Sequence, residues 1–525
     1  MALTETRPET EAGGDVHAEQ PAPSQIERLI GTGDHLTNGR LLLGFALVLG
    51  TLSAVGLGLA ALDRTTDDGL LGGISDVLWP SSLVGLVLMG VMPLLLALGI
   101  AVVPLQVGSP SIAFPRAAGL ALWTWLIGAL LFMTSVALDG GVGGADDEAA
   151  RLGNLSIGVM MAALALAAVC VATTVASHRP LGMGLARVPF FSWSMLVAAP
   201  VWILSLGAAA AHLFVGHIAD ADAAGLAANF DEGVSWFLRA PSVHLLAIPV
   251  LGIAADVVVH LTGRRLRPYG AFQGAIAAYA VLSFGAWTQV PAARQTVLWA
   301  AFVLLAALPV LATLGGLVDA LRRGGVSALA SLGASLVALL LLLGVVAAAG
   351  VQALDTAGSG QLWDLRTDLL GDAQLLFAVG AALLGGLAGL AHWSERLFGA
   401  PAADGVAKGG AAALLLGGAL APTVLLVEGI AAGDGRDGLP EGLVHGLVAA
   451  GALLLALGVL AGIAAMLGAA RQAYDGVEPA GDGPRGMTLE WSSSGAAIAG
   501  ALHEGPVRSP YPLADLRDGA DEETK

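Results

Sequence analysis

Charge and cysteine are scarce in this 525-residue chain, and each scarcity excludes a class of protein. Only 12% of the residues are charged, against about 25% in ordinary soluble domains, so the chain could not cover a soluble core with polar surface. The single cysteine, Cys170, excludes intrachain disulfides, thiolate iron–sulfur clusters and a two-cysteine copper site. A net charge of −17 argues against nucleic acid as a partner, because binding to phosphates requires a basic surface.

Long apolar runs occupy most of the remaining sequence, and 56% of all residues are hydrophobic. A helix needs roughly 20 apolar residues to cross a bilayer, and a membrane β-barrel would instead alternate apolar and polar residues. The continuous runs therefore predict an all-α integral membrane protein with twelve transmembrane helices. The predicted spans centre on residues 41–62, 77–104, 118–138, 154–176, 193–216, 241–260, 270–290, 296–320, 327–350, 373–394, 409–430 and 443–468.

Arginine placement predicts the orientation of these spans, because loops on the cytoplasmic side carry an excess of Lys and Arg. Loops on one side carry more basic residues, most clearly Arg264, Arg265 and Arg267, whereas loops on the other side carry single arginines such as Arg239. We therefore expect a multi-pass protein of the plasma membrane with both termini in the cytoplasm and the lipid bilayer as its surroundings. The first forty residues are polar and contain no apolar leader.

Three regions follow from this pattern. We predict a disordered acidic cytoplasmic tail over 1–35, a twelve-helix transmembrane domain over 36–470, and a cytoplasmic C-terminal tail over 471–525.

Several short motifs occur in a fixed order outside the apolar runs. They are Gly33–Arg40, Val103–Arg116, Arg187–Val197, Met487–Trp491 and Val507–Leu513. Together they resemble subunit I of the haem–copper oxidase superfamily, the cytochrome c oxidase core, and the likeness extends over about residues 32–515. The resemblance implies a twelve-helix bundle linked to the aerobic respiratory chain, in which oxygen is reduced at a high-spin haem beside copper.

The resemblance also implies six metal-ligating histidines on helices two, six, seven and ten, and this chain has none of them. No histidine occurs between His35 and His178, so helix two has no imidazole to offer. We therefore expect no haem or copper cofactor and consider the chain a pseudoenzyme. The residues at the implied ligand positions are Ser82, Ala240, Gln289, Val290, Ala373 and Leu375.

A few polar residues within the predicted spans remain as candidates for a site. His212 and His244 are weak candidates for haem or metal ligands, since a metal needs at least three converging ligands. Asp256 and His260 are four residues apart on one helix face, which predicts a polar pair that relays protons or anchors a neighbouring helix. We place Trp79, at a span end, in the interfacial aromatic belt.

Three functions remain open at this stage. A non-catalytic structural or assembly partner of a respiratory oxidase fits best, because the retained motifs lie at one face and contain no metal ligand. The first alternative is a transporter or channel that reuses the fold. The second is an oxidase that works through substituted ligands such as His244 and His212.

Overall fold

Twelve long helices make up most of the residues that the computed structural model describes. These residues are 32–66, 69–71, 75–219, 225, 230–287, 297–324, 329–357, 365–431, 438–476, 486–492 and 507–515. The helices are α1 (His35–Asp63), α2 (Ser75–Gln106), α3 (Pro115–Ala137), α4 (Asp147–Ser177), α5 (Phe190–Ile218), α6 (Gly233–Thr262), α7 (Tyr269–Trp287), α8 (Val297–Arg323), α9 (Ala330–Ala357), α10 (Thr367–His392), α11 (Asp404–Ala431) and α12 (Glu441–Tyr474).

The predicted all-helical membrane fold is confirmed. Eleven of the helices in the described part of the chain are long and apolar enough to cross a membrane. The one predicted span that is not among these eleven is 270–290. It corresponds to α7, a helix of 19 residues, and residues 288–296 after it lie outside the described part. The count of twelve is therefore an approximate match. Most of the predicted N-terminal region, 1–35, also lies outside the described residues.

Helices α2, α6 and α10 form the centre of the bundle. The most apolar stretches of α2 and α6 are wholly buried and that of α10 is 94% buried, whereas only 39% of the α3 stretch is buried. Both α2 and α6 contain a π-helical turn, over Leu86–Val91 and Leu238–Ser242 respectively. These central helices are three of the four that the family resemblance associates with metal ligands.

Glycine allows α10 to pack directly against two of its neighbours. A Cβ added to Gly380 would lie 2.8 Å from the Cα of Gly418 on α11, and one added to Gly386 would lie 2.5 Å from Leu94 Cδ2 on α2. Both distances are too short for a real side chain. A larger residue at Gly380 would meet backbone and push the two helices apart, and a larger residue at Gly386 would require the Leu94 side chain to move. Small residues at helix interfaces are the usual basis for close helix packing in membranes.

One end of the bundle carries the described parts of the C-terminal region. The segments 486–492 and 507–515 pack where α2 and α6 end and α5 begins, and we call this the tail end. Helix α1 also begins there, at Asp34, whose carboxylate accepts hydrogen bonds from the Leu36 and Thr37 amides. Such a cap satisfies amides that have no partner within the first turn.

Candidate functional site

Four of the six implied ligand positions lie in the described helices, and all four are buried. Ser82 on α2 and Ala240 on α6 are each 5% exposed, and Ala373 and Leu375 on α10 are 0% and 1% exposed. None of these side chains carries an imidazole. Gln289 and Val290 lie outside the described residues, so the structure does not test them.

An ion pair with a buried carboxylate and a partly exposed guanidinium lies immediately beside these positions. Asp372 precedes Ala373 in the chain, and Arg239 precedes Ala240. The Arg239 guanidinium donates to Asp372 Oδ1 from Nη2 at 3.0 Å and from Nε at 3.2 Å. The indole Nε1 of Trp79 donates to the other carboxylate oxygen at 3.2 Å. One carboxylate therefore joins α2, α6 and α10 at the end opposite the tail.

This network is not evident from the sequence. The sequence pattern predicts Arg239 in a loop and Trp79 in the interfacial belt, yet Trp79 is only 7% exposed and donates a hydrogen bond to Asp372. One feature of the sequence does indicate a polar site here. Asp372 lies at the start of an apolar run, directly before a position where the family resemblance implies a metal ligand. A charged group in a membrane span generally has a partner, but the sequence does not identify a residue 133 positions away.

The two weak histidine candidates lie in different surroundings. His244 on α6 is 6% exposed, and its ring centroid is 6.5 Å from that of Tyr279. His212 on α5 is half-buried against Gly233, where an added Cβ would lie 2.6 Å from its Cδ2. Among the described residues, no group of three or more His, Cys, Asp or Glu side chains is arranged to hold a metal ion. The assignment of these histidines as ligands stays a prediction.

A second polar cluster lies at the tail end and centres on the side-chain amide of Gln106. Its Nε2 donates to Asp256 Oδ2 at 2.9 Å and to Glu490 Oε1 at 3.1 Å. Its Oε1 accepts from the backbone amide of Ser192 at 3.1 Å and from the Ser192 hydroxyl at 2.7 Å. The amide thus links α2, α5, α6 and the C-terminal segment through buried hydrogen bonds.

Asp256 also caps α5 from the neighbouring helix α6. Its two carboxylate oxygens accept from the amides of Phe190 at 3.1 Å and Phe191 at 3.0 Å. His260, one turn further along α6, packs instead against Trp491, with ring centroids 4.2 Å apart and the ring planes tilted by 33°. The predicted polar pair therefore has two separate sets of contacts, one to α5 and one to the C-terminal segment.

Glu490 brings a second carboxyl group into this cluster. Glu490 is only 3% exposed, and this burial raises the pKa of its carboxyl group above the ordinary value. Desolvation has this direction because it disfavours the charged form of a carboxyl group. Docking of the segment therefore shifts the protonation equilibrium of Glu490 towards the protonated form.

Two arginines fix the second C-terminal segment to the bundle. Arg187 Nη1 donates to the carbonyl oxygen of Val507 at 2.7 Å and to that of Gly182 at 2.8 Å. Arg265 Nη2 forms an ion pair with Asp515 Oδ1 at 2.9 Å. The motif around Arg187 and the C-terminal motif are far apart in the sequence. These contacts bring them together at the tail end.

This fold and these motifs define a multi-pass, all-helical membrane protein built on the framework of an oxidase subunit I. A family model described as Cytochrome C and Quinol oxidase polypeptide I matches residues 40–437, which is well over half of the chain. The chain belongs to this family, and the resemblance drawn from its sequence is confirmed.

Curated relatives agree with this assignment. Quinol oxidase subunit 1 of Bacillus subtilis is 29% identical over 218 residues, covering 38% of this chain and 33% of that protein. Heme-copper oxidase subunit I+III of Aeropyrum pernix is 28% identical over 295 residues, covering 50% and 35%. Cytochrome c oxidase subunit 1 of Bacillus sp. (strain PS3) is 26% identical over 279 residues, covering 49% and 45%. The chain thus spans less than half the length of these relatives.

The expectation that the chain has no haem or copper cofactor is wrong, because its family is one of cytochrome oxidases and one relative is a heme-copper oxidase by name. The residues at the four described ligand positions nevertheless do not fit these groups. Serine, alanine and leucine side chains at these places cannot replace imidazole as a ligand to iron or copper. A bound haem or copper ion would need ligands elsewhere, and we derive no reaction step through either group.

Proposed function

We propose that this chain is a non-catalytic, subunit I-like membrane protein that associates with other subunits of a respiratory oxidase or with the machinery that assembles one. The observation that carries the proposal is the contrast between the two ends of the bundle. At the tail end, the family's motifs hold one another through buried hydrogen bonds. At the other end, the implied ligand positions carry Ser82, Ala240, Ala373 and Leu375.

The interior supports the non-catalytic part of the proposal. Oxygen reduction in this family depends on imidazole ligands to haem iron and copper, and the described ligand positions provide none. The carboxylate of Asp372 instead holds Arg239 and Trp79, so that α2, α6 and α10 are joined by protein side chains. Such a network contributes to the stability of the scaffold without metal ligands at these positions.

The tail end supports the association part. Membrane helices associate through close packing rather than through a hydrophobic driving force, so a helical framework can keep its contacts with other subunits without metal ligands in its interior. We place this end in the cytoplasm of a cell bounded by its plasma membrane, with both termini there, since Arg264, Arg265 and Arg267 lie just after α6. The regions 1–35, 36–470 and 471–525 are proposed as the domain organisation.

Affinity purification from native membranes in mild detergent tests the proposal. We expect oxidase subunits to co-purify with the full chain and to be lost when residues 487–513 are deleted, because both docked segments are then removed. Deletion of residues 516–525 is the matched control and should leave the recovery unchanged. Recovery of the chain alone, or only with proteins unrelated to respiration, would contradict the proposed role.

A further inference from the structure

A cavity of about 260 Å³ opens at the tail end, beside Trp491 of the docked C-terminal segment. It lies between the ends of α6 and α10 and the beginnings of α9 and α11. Its polar lining includes no member of the Gln106 cluster and comprises His260, Ser331, His392, Ser394, Glu395, Arg396 and Asp404.

Two polar groups of this lining have unused hydrogen-bonding capacity. His392 is 8% exposed, and its buried Nε2 has no hydrogen-bond partner among the described residues. The buried Nε of Arg396 likewise has no partner in the described part of the chain. The Arg396 guanidinium carbon lies 5.5 Å from the ring centroid of Trp491, which positions it at the cavity wall. Buried polar groups are nearly always hydrogen-bonded, so these two nitrogens leave hydrogen-bonding capacity beside the cavity.

A second cavity, of about 380 Å³, continues from the first into the membrane-crossing region. The two cavities share Leu329 and Ala330. The second is a groove between α9 and α11, two helices that are long and apolar enough to cross a membrane. Its walls are apolar, formed largely by Leu332, Leu336, Val337, Leu384, Ala411 and Leu415.

The charges around the junction favour an anionic ligand. Lys408 and Asp404 form an ion pair at 2.6 Å, so their charges neutralise each other. Burial raises the pKa of Glu395, so its negative charge is less favoured there than in water. Arg396 forms no ion pair within the described part of the chain, and it is the arginine of the polar cavity whose charge a ligand can neutralise.

We propose that the two cavities together bind one phospholipid, with the phosphodiester at Arg396 and His392 and an acyl chain in the groove between α9 and α11. The polar cavity requires an anion with several acceptor oxygens, and the groove requires a long apolar chain. Free phosphate meets only the first requirement, and bulk hydrocarbon meets only the second. A phospholipid meets both in one molecule.

Native mass spectrometry of the full chain, equilibrated with dioleoyl phosphatidylglycerol and washed with detergent, tests this site. Two variants address its two halves. Arg396→Gln removes the cation, and Gly333→Phe fills the groove, because a Cβ at Gly333 meets no atom within 4 Å. The matched controls are Arg322→Gln, at an exposed arginine of α8, and Gly468→Phe, at a similarly open glycine of α12.

We expect one retained phosphatidylglycerol per chain in the unmodified protein and in both controls, and roughly tenfold weaker retention in the two site variants. Since Gly333→Phe removes no contact, it decides the matter even if Arg396→Gln fails to fold. Equal retention in all five proteins would mean that only non-specific surrounding lipid is bound. Displacement of the lipid by millimolar inorganic phosphate would mean a free-anion site. Either result overturns the proposal.

Discussion

The pair of Arg239 and Asp372 distinguishes the interior of this chain at the scale of single residues. Each charge lies one residue before a position where the family resemblance implies a metal ligand. The Asp372 side chain is 8% exposed and that of Arg239 is 39% exposed, so the carboxylate depends on protein partners whereas the guanidinium partly reaches the surface. A charge in a membrane span is tolerated when it is paired in this way.

Asp372→Asn should lower the free energy of unfolding in mixed micelles by about 2 kcal/mol. Breaking a buried pair typically costs ~3–5 kcal/mol, and partial exposure of Arg239 reduces that cost. Asp368→Asn is the matched control, because its ion pair with Arg366 is about half exposed on both sides and should contribute less than about 0.5 kcal/mol. An equal decrease in the free energy of unfolding in the two variants would show that the Arg239–Asp372 pair contributes no more than an exposed ion pair.

Residues of this kind mark the limit of prediction from sequence. The apolar runs and the ordered motifs predict the helices and the family, because both signals are local in the chain. Asp372 and Arg239 are joined only by the packing of α6 against α10, and Glu490 is buried only because its segment folds back onto α2. Such contacts depend on helix arrangement, which no local pattern specifies.

The short helical turn Leu489–Trp491 is the element that connects the C-terminal region to the bundle. Glu490 accepts a hydrogen bond from Gln106 of α2, and the Trp491 ring packs against that of His260 on α6. The same Gln106 also binds Ser192 at the start of α5. Docking of this turn and the start of α5 are therefore linked through one amide side chain.

Docking of this turn should weaken as pH rises through the raised pKa of Glu490. The docked state holds the proton more tightly than the free segment, so its stabilisation is complete at low pH and is lost as Glu490 ionises next to Asp256. Hydrogen-exchange protection of residues 487–491, corrected for intrinsic rates, measures this. Glu490→Gln should keep the protection at all pH values. Parallel pH profiles for the two proteins would contradict the explanation.

At the scale of the whole molecule, the bundle combines a retained framework with an altered interior. Helices α2, α6 and α10 are central and are three of the four helices to which the family resemblance assigns metal ligands, and the segments that carry the family's C-terminal motifs pack at the tail end. The described ligand positions in these same helices have no imidazole. The arrangement of helices and motifs is therefore that of the family. The residues at the described ligand positions are the basis for the proposed loss of oxygen reduction.

Oxygen uptake by the purified full chain, supplied with reduced cytochrome c or with a quinol, tests this account most directly. We predict no uptake above that of the same preparation after heat denaturation, because the described ligand positions cannot bind iron or copper through imidazole. Sustained uptake that requires the native chain and persists after removal of any co-purifying oxidase subunit would contradict the account.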